Sequence, residues 1–321
     1  MISAIGARAM ELADGLTGGS PVGRTALLAA TLSAGGVGLA RLAAAVSGGP
    51  GGRPLDDLPH GADGSAAWAG GGLLLPVLGF GALDWATAGS PAATLLWQKI
   101  GVGPLVTGRE TSSCEPARDG YFLNRQMNAH SSHAQIAAGL FILRQVLAPK
   151  ADKGAEPRAP LASALLGAAL TVLGLASYAW WGSRRLRALR LDHIMMEGHT
   201  LCLSVLFLSV AHPKAELGFV GLASALVLWR ALTLPLLARA ALLHTSVAAV
   251  ASALWAIFRC GGTGHMGVYS AGICLTLFGF VAKVADASGA WMFGTSLFHY
   301  MEAAGFTSLY IWSQTLPPAA P

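Results

Sequence analysis

Seven apolar blocks, each about long enough to cross a bilayer as one helix, follow one another along the last two-thirds of the chain. They cover 129–147, 160–182, 191–211, 216–236, 237–258, 264–285 and 292–313. In hydrocarbon no water satisfies the backbone, so each block has to satisfy its own N–H and C=O groups as a helix. Short connections predict antiparallel neighbours. Composition agrees: 54% of residues are hydrophobic and 12% charged, against about 25% charged in soluble domains. The expected fold is all-α, a polytopic seven-helix membrane bundle. The net charge of +5 lies mostly in loops and speaks to topology and lipid head groups, not to nucleic acid. Four cysteines are too few for a disulfide scaffold. Cys202 and Cys274 fall in apolar blocks and are expected in the core. Cys114 and Cys260 fall on opposite faces and are not expected to pair.

Two additional membrane helices are expected before the bundle. Residues 25–45 are rich in small residues and carry Arg41. Residues 66–88 carry Pro76 as a kink and Asp84 near the end. A Gly/Pro-rich linker separates them. Residues 91–105, with Lys99, are too short to span and are expected at the interface or re-entering. The first residues lack a basic region followed by an apolar core, and Glu11 and Asp14 argue against a transit peptide, so no targeting segment is expected. A boundary near residue 108 divides an N-terminal extension, 1–108, from the bundle, 109–321. Along the bundle the 182–190 face collects Arg109, Arg118, Arg125, Arg184, Arg185, Arg187, Arg190, Arg230, Arg239 and Lys283. The opposite face has Arg144, Lys150, Lys153, Arg158, Lys214 and Arg259. This excess orients the 182–190 face inward.

Ionisable residues inside a span are costly and are functional candidates by default. Ser177 lies about 9 Å before the basic turn, Asp192 lies just after it, and His299 lies about 12 Å into the last block. Three helices therefore bring Ser177, Asp192 and His299 to one level near one face. A carboxylate beside an imidazole can hold its tautomer, and a serine hydroxyl can steady an oxyanion. An interhelical hydrogen-bond cluster that fixes packing fits the same spacing. His130 and His133 share one helix face and read as an interfacial polar cap or a metal pair. In the third block Asp192 and His199 share one face and His193 and Glu197 another, and only one of the two looks inward. His299 and Glu302 form a His-x-x-Glu pattern that a metal could use. His212, His244 and His265 have no obvious partner. Lys283, near a helix end, is expected to snorkel; Asp286 would be its counter-ion if it carried a Schiff base. The tryptophans, Tyr300 and Tyr310 read as interface anchors. No phosphate loop and no soluble-hydrolase triad motif is present. Polar residues gather at one end only, which disfavours a transporter.

Three features together, CEPARDGYFLNRQMNAHSS, the fifteen-residue interval from Ser177 to Asp192, and FHYMEAAGF, resemble the alkaline ceramidases and their bacterial relatives. That family sits within the seven-helix superfamily of the adiponectin receptors. The resemblance covers residues 112–313. It rests on Cys114-Glu115, on the Asn128 to Ser131 start of the first helix, on the Ser177 to Asp192 interval, and on His299 as the second histidine of a His-x-x-x-His pattern. It implies a seven-helix hydrolase of ceramide-type lipids with a zinc held by three histidines. Here two of those positions hold Trp181 and Thr295, and only His299 is left. The family's calcium loop is altered as well: Ser112 and Ser113 replace an expected Asp-Trp pair, and Arg125 stands near an expected glutamate. No cysteine in the turn before the last helix can pair with Cys114.

A zinc site needs about three protein ligands and a water. The expectation is therefore a ceramidase-like pseudoenzyme without bound cofactor, a lipid-binding or structural subunit of a membrane complex. Its polar lipid head would lie at Ser177, Asp192 and His299, with Trp181, His199, Arg184 and Arg185 beside it, although a solvated positive-inside loop also explains the arginines. The rival is an active amide hydrolase with a rearranged zinc site. It would use His299 and Glu302 with a third ligand from His130, His133 or His199, Asp192 as general base and Ser177 as oxyanion donor. Expected partners are membrane lipids and other membrane subunits.

Overall fold

The computed structural model describes residues 82–84, 86, 88, 90–101, 103–106, 113–147, 157–233, 239–291 and 293–319. The expected spans at 25–45 and most of 66–88, the Gly/Pro linker, the boundary near 108 and Ser112 lie outside them. Among the described residues all regular structure is helical, apart from one isolated bridge between Leu105 and Arg185. The helices are α1 (Pro91–Lys99), α2 (Gln126–Ser131), α3 (His133–Leu147), α4 (Pro160–Ser183), α5 (Leu186–Ala211), α6 (Glu216–Thr233), α7 (Arg239–Cys260), α8 (Met266–Ala287) and α9 (Gly294–Thr315). Each apolar block of the sequence carries a helix, the first being split into α2 and α3.

Among the described residues, five helical segments are long and apolar enough to cross a membrane: Pro160–Ser183, Leu186–Ala211, Pro213–Thr233, Leu242–Cys260 and Met266–Ala287. The chain is thus an all-α protein with multi-pass membrane character. Burial ranks the helices. The most apolar stretch of α5 is 83% buried and that of α6 only 6%, so α5 is the axis and α6 lies outside. α5 packs on α4, α6 and α7, while α9 packs on α8, α3, α2 and α5. The outer helices α6, α7 and α8 turn leucine, valine and phenylalanine side chains outward, among them Leu222, Leu228, Phe258, Leu277 and Val281. Such a surface is stable against lipid or another apolar face and not against water.

Helix ends follow local chemistry. Pro160 opens α4 at a position where its missing N–H costs nothing. Arg184 closes α4 in the left-handed conformation, φ 52°, and its N–H donates to the Trp180 carbonyl at 2.7 Å. A non-glycine residue is strained there. The turn is held because Val106 N–H donates to Arg184 O at 2.8 Å and Leu186 N–H to Pro104 O at 2.9 Å. The 182–190 stretch is thus tighter than the sequence suggests. α5 begins at Leu186, which places Arg187 and Arg190 on the helix and Asp192 in its second turn.

The segment expected at the interface docks onto the bundle. Trp97 stacks on Phe122 with centroids 4.5 Å apart and donates its indole N–H to the Phe122 carbonyl at 2.8 Å. Asp84, 2% exposed, accepts from Leu123 N–H at 2.7 Å and pairs with Arg118 at 2.8 Å. The anchor reading of the aromatics divides. Trp229 and Trp255 are exposed, but Trp180, Trp181, Trp312 and Tyr310 are buried, because they sit on faces turned toward α5 or α1. Cys202 is buried as expected; Cys274 is exposed on α8 instead of lying in the core.

Candidate functional site

The first turn of the bundle positions the site. Glu115 places its two carboxylate oxygens on the N–H groups of Met127 and Asn128, at 2.7 and 2.9 Å. These are free amides at the start of α2, where a carboxylate is favoured. Asn128 then ties α2 to α9. Its side-chain oxygen accepts from the Ser296 hydroxyl at 2.9 Å, and its amide nitrogen donates to Ser113 Oγ at 2.8 Å. The turn before α9 is fixed by Asp286, whose carboxylate accepts from the N–H of Cys114 and from the N–H of Thr295. The Cys114 thiol donates to the Asp286 carbonyl at 2.7 Å. Asp286 therefore holds Cys114 to this turn without a second cysteine, and its charge also attracts Lys283.

Burial pushes Glu115 up to about 7, outweighing the two amide hydrogen bonds that pull it down. The sign follows from proton counting. Between its ordinary pKa of 4.5 and about 7 the folded chain holds a proton that the unfolded chain has lost, so stability falls as pH rises through this window. The loss is about 3 kcal/mol. Unfolding of the detergent-solubilised protein at pH 5 and pH 8 is expected to show it, and Glu115→Gln is expected to flatten that slope.

Ser177, Asp192 and His299 do meet. Ser131 Oγ donates to the Asn128 carbonyl at 2.9 Å, so its lone pairs face His299 Nδ1 at 2.8 Å. Nδ1 therefore carries the proton, and Nε2 turns its lone pair toward Ser177 Oγ at 3.4 Å. Asp192 lies near enough to Ser177 for the hydroxyl to steady its charge. A chain of Ser177, His299, Ser131 and Asn128 thus crosses α4, α9 and α2, with Asp192 of α5 beside it. All five residues are buried.

One step along α9, Glu302 lies 3.2 Å from His199 Nε2, an ion pair when the ring is protonated at both nitrogens, and accepts from the Gln135 side-chain amide. His199 Nδ1 donates to Met195 O at 3.0 Å. Among the described residues no third His, Cys, Asp or Glu completes a metal site with the His-x-x-Glu pair. His199 extends the cluster inward, and Asp192 and His199 define the inward face of α5. Glu197, on the other face, pairs with Arg230 of α6 at 2.7 Å and not with His193.

His130 and His133 are buried, 3% and 0% exposed, and not a cap at the interface. Their rings stack at 5.9 Å, and His133 packs on Tyr178. His212 has a partner that sequence spacing could not reveal: Trp255 donates to its Nε2 at 2.8 Å. Arg185 binds the Gly103 carbonyl at 2.8 Å and Arg187 the Gly101 carbonyl at 3.1 Å, so these arginines fasten the α1 loop. Lys283 does not snorkel outward. Its ammonium lies 4.9 Å from the Phe298 ring centre and 5.6 Å from that of Trp181, with Asp192 and Glu302 as attracting charges. Arg125 closes on the Ser113 carbonyl.

Among the described residues no group of three His, Cys, Asp or Glu side chains is arranged to hold a metal ion. The zinc implied by the family resemblance does not fit. Trp181 offers only an N–H, Thr295 a single hydroxyl, and a lysine ammonium lies against the Trp181 face. Ser177 sits inside α4, where backbone N–H groups are committed to the preceding turn, so an oxyanion there would have only the hydroxyl as donor from α4. Three buried polar atoms around the cluster have no partner: Asp192 Oδ1, Trp181 Nε1 and Thr295 Oγ1. Trp181 is one turn from Ser177 on α4, and Thr295 one turn from His299 on α9. Comparisons with protein-family models, with curated proteins and with solved structures each return no match.

Proposed function

We propose that the chain is a ceramidase-like seven-helix membrane protein that has exchanged hydrolysis for lipid binding, and that it serves as a subunit of a larger membrane assembly. One observation carries this reading. Asp192 Oδ1 is an unpartnered acceptor, while Trp181 Nε1 and Thr295 Oγ1 are unpartnered donors. An unpartnered buried polar atom costs about 1–3 kcal/mol. A lipid head offering both an N–H or O–H donor and a carbonyl acceptor satisfies the set, and an amide with a hydroxyl beside it does so fully. Basic side chains near those positions support the same reading: Lys283 lies beside Trp181, and Arg125 closes the loop at Ser113. The apolar outward faces of α6 to α8 suit lipid or neighbouring subunits.

Elemental analysis, a ceramide hydrolysis assay and mass spectrometry of retained lipid on one purified sample test the proposal. The expected result is zinc far below one per chain, no turnover, and a retained amide- or hydroxyl-headed lipid. Trp181→Phe with Asp192→Asn is expected to lower that retention about tenfold, as loss of about 1.4 kcal/mol would. Stoichiometric zinc with turnover abolished by His299→Ala would establish the rival, an active amide hydrolase. Lipid retention indifferent to Trp181 and Asp192 sinks the binding site.

A further inference from the structure

A second polar feature stands apart from the central cluster. A groove of about 260 Å³ runs between α5, α6 and α7. Ile194, Gly198, Leu201, Leu226 and Val227 make its apolar wall, and Glu197, Arg230, His244 and Thr245 its polar end. Glu197 is 8% exposed. Its Oε2 accepts from Arg230 at 2.7 Å, while its Oε1 is buried without a hydrogen-bond partner. One carboxylate oxygen is thus paired with a cation and the other is an unpartnered acceptor among the residues that line the groove. The groove gives onto the outer surface, where Leu226, Leu243 and Val247 are exposed.

We propose that this groove is a second lipid site and that its occupant is a neutral lipid with a free hydroxyl head. Charge decides the class. Glu197 and Arg230 together are neutral, so an anionic head meets the carboxylate and a cationic head meets the guanidinium. A neutral hydroxyl donates to Oε1 at no such cost. Shape decides the rest. The apolar wall from Ile194 to Leu201 runs about 10 Å along α5 and covers an acyl chain, whereas a lone water needs two to four polar partners. Thr245 is no competing donor, because its hydroxyl already donates to the Leu242 carbonyl at 3.0 Å.

A diacylglycerol with a photoreactive group in one acyl chain tests the site in the purified full-length protein. Crosslinks are mapped by peptide mass spectrometry. The expected result is labelling concentrated on α5, α6 and α7 around Leu201, Leu226 and Val227, competed by unlabelled diacylglycerol at least tenfold better than by triacylglycerol, which lacks the hydroxyl. Leu226→Trp, at the exposed groove mouth, is expected to cut labelling about tenfold. The paired change Glu197→Leu with Arg230→Leu, which leaves no lone charge, is expected to abolish the preference for the hydroxyl. Val281→Ala, at an exposed position on α8, is expected to leave this labelling unchanged. Labelling spread equally over Leu277, Val281 and Val284 of α8, equal competition by triacylglycerol, or indifference to Leu226→Trp overturns the proposal. Protection of the groove by a co-purifying protein in place of lipid overturns it as well.

Discussion

Gly294→Ala is expected to cost about 3 kcal/mol, visible as a large drop in the thermal midpoint of the detergent-solubilised protein. A Cβ at this position overlaps the Ala282 carbonyl oxygen and stands 2.7 Å from Asp286 Cβ. Neither can give way cheaply, since one is helix backbone and the other belongs to the clamp on Cys114 and Thr295. The turn between α8 and α9 would open and carry His299 away from Ser131. Gly218→Ala is the control. Nothing lies within 4 Å of a Cβ there, and alanine is the better helix former by up to about 1 kcal/mol. Equal midpoints for the two variants would show that the α8–α9 approach is looser than described.

Removing the attraction between Asp192 and Lys283 is the second large effect. Asp192→Asn leaves the Lys283 ammonium in the bundle without its principal attracting charge. Lys283→Met leaves the Asp192 carboxylate with one oxygen already unpartnered and its attracting cation gone. The two attract without a direct ion pair, so leaving either charge without the other is expected to cost about 1–3 kcal/mol. The double variant restores neutrality and is expected to cost less than the sum, with a coupling of about 2 kcal/mol. Unfolding free energies of the four proteins close this cycle. Strict additivity would mean that Lys283 reaches water or lipid head groups and owes its place to Trp181 and Phe298 alone.

These two effects differ in how visible they were beforehand. Asp192 is legible because a carboxylate inside an apolar block has few reasons to be there. Lys283 is equally visible as a residue, but its direction is not. A lysine near a helix end can reach the interface or turn inward, and its choice depends on Trp181 and Phe298, which lie on other helices. Gly294 gives no signal at all in the sequence, since its role is set by how closely the Ala282 carbonyl passes.

The same division holds at the site. The spacing of Ser177, Asp192 and His299 foretold their meeting, because helical rise and alternating direction fix the depth of a residue before any packing is known. It did not foretell Ser131, Asn128 and Glu115, which orient the imidazole. They lie at the junction of a loop and a short helix, where depth cannot be counted. Arg184 and Arg185 looked like a charged mouth because sequence shows charge but not engagement. The α1 loop takes up their backbone and the Arg185 side chain.

By itself the sequence determined the helices, their apolar length and the level at which polar groups gather. These are properties of single segments in hydrocarbon, where each backbone satisfies itself. Only the tertiary structure decided which helix is the axis, which polar atoms find partners and which stay open. Those outcomes depend on distances between segments far apart in the chain, and a shift of an ångström between helices makes or unmakes a hydrogen bond.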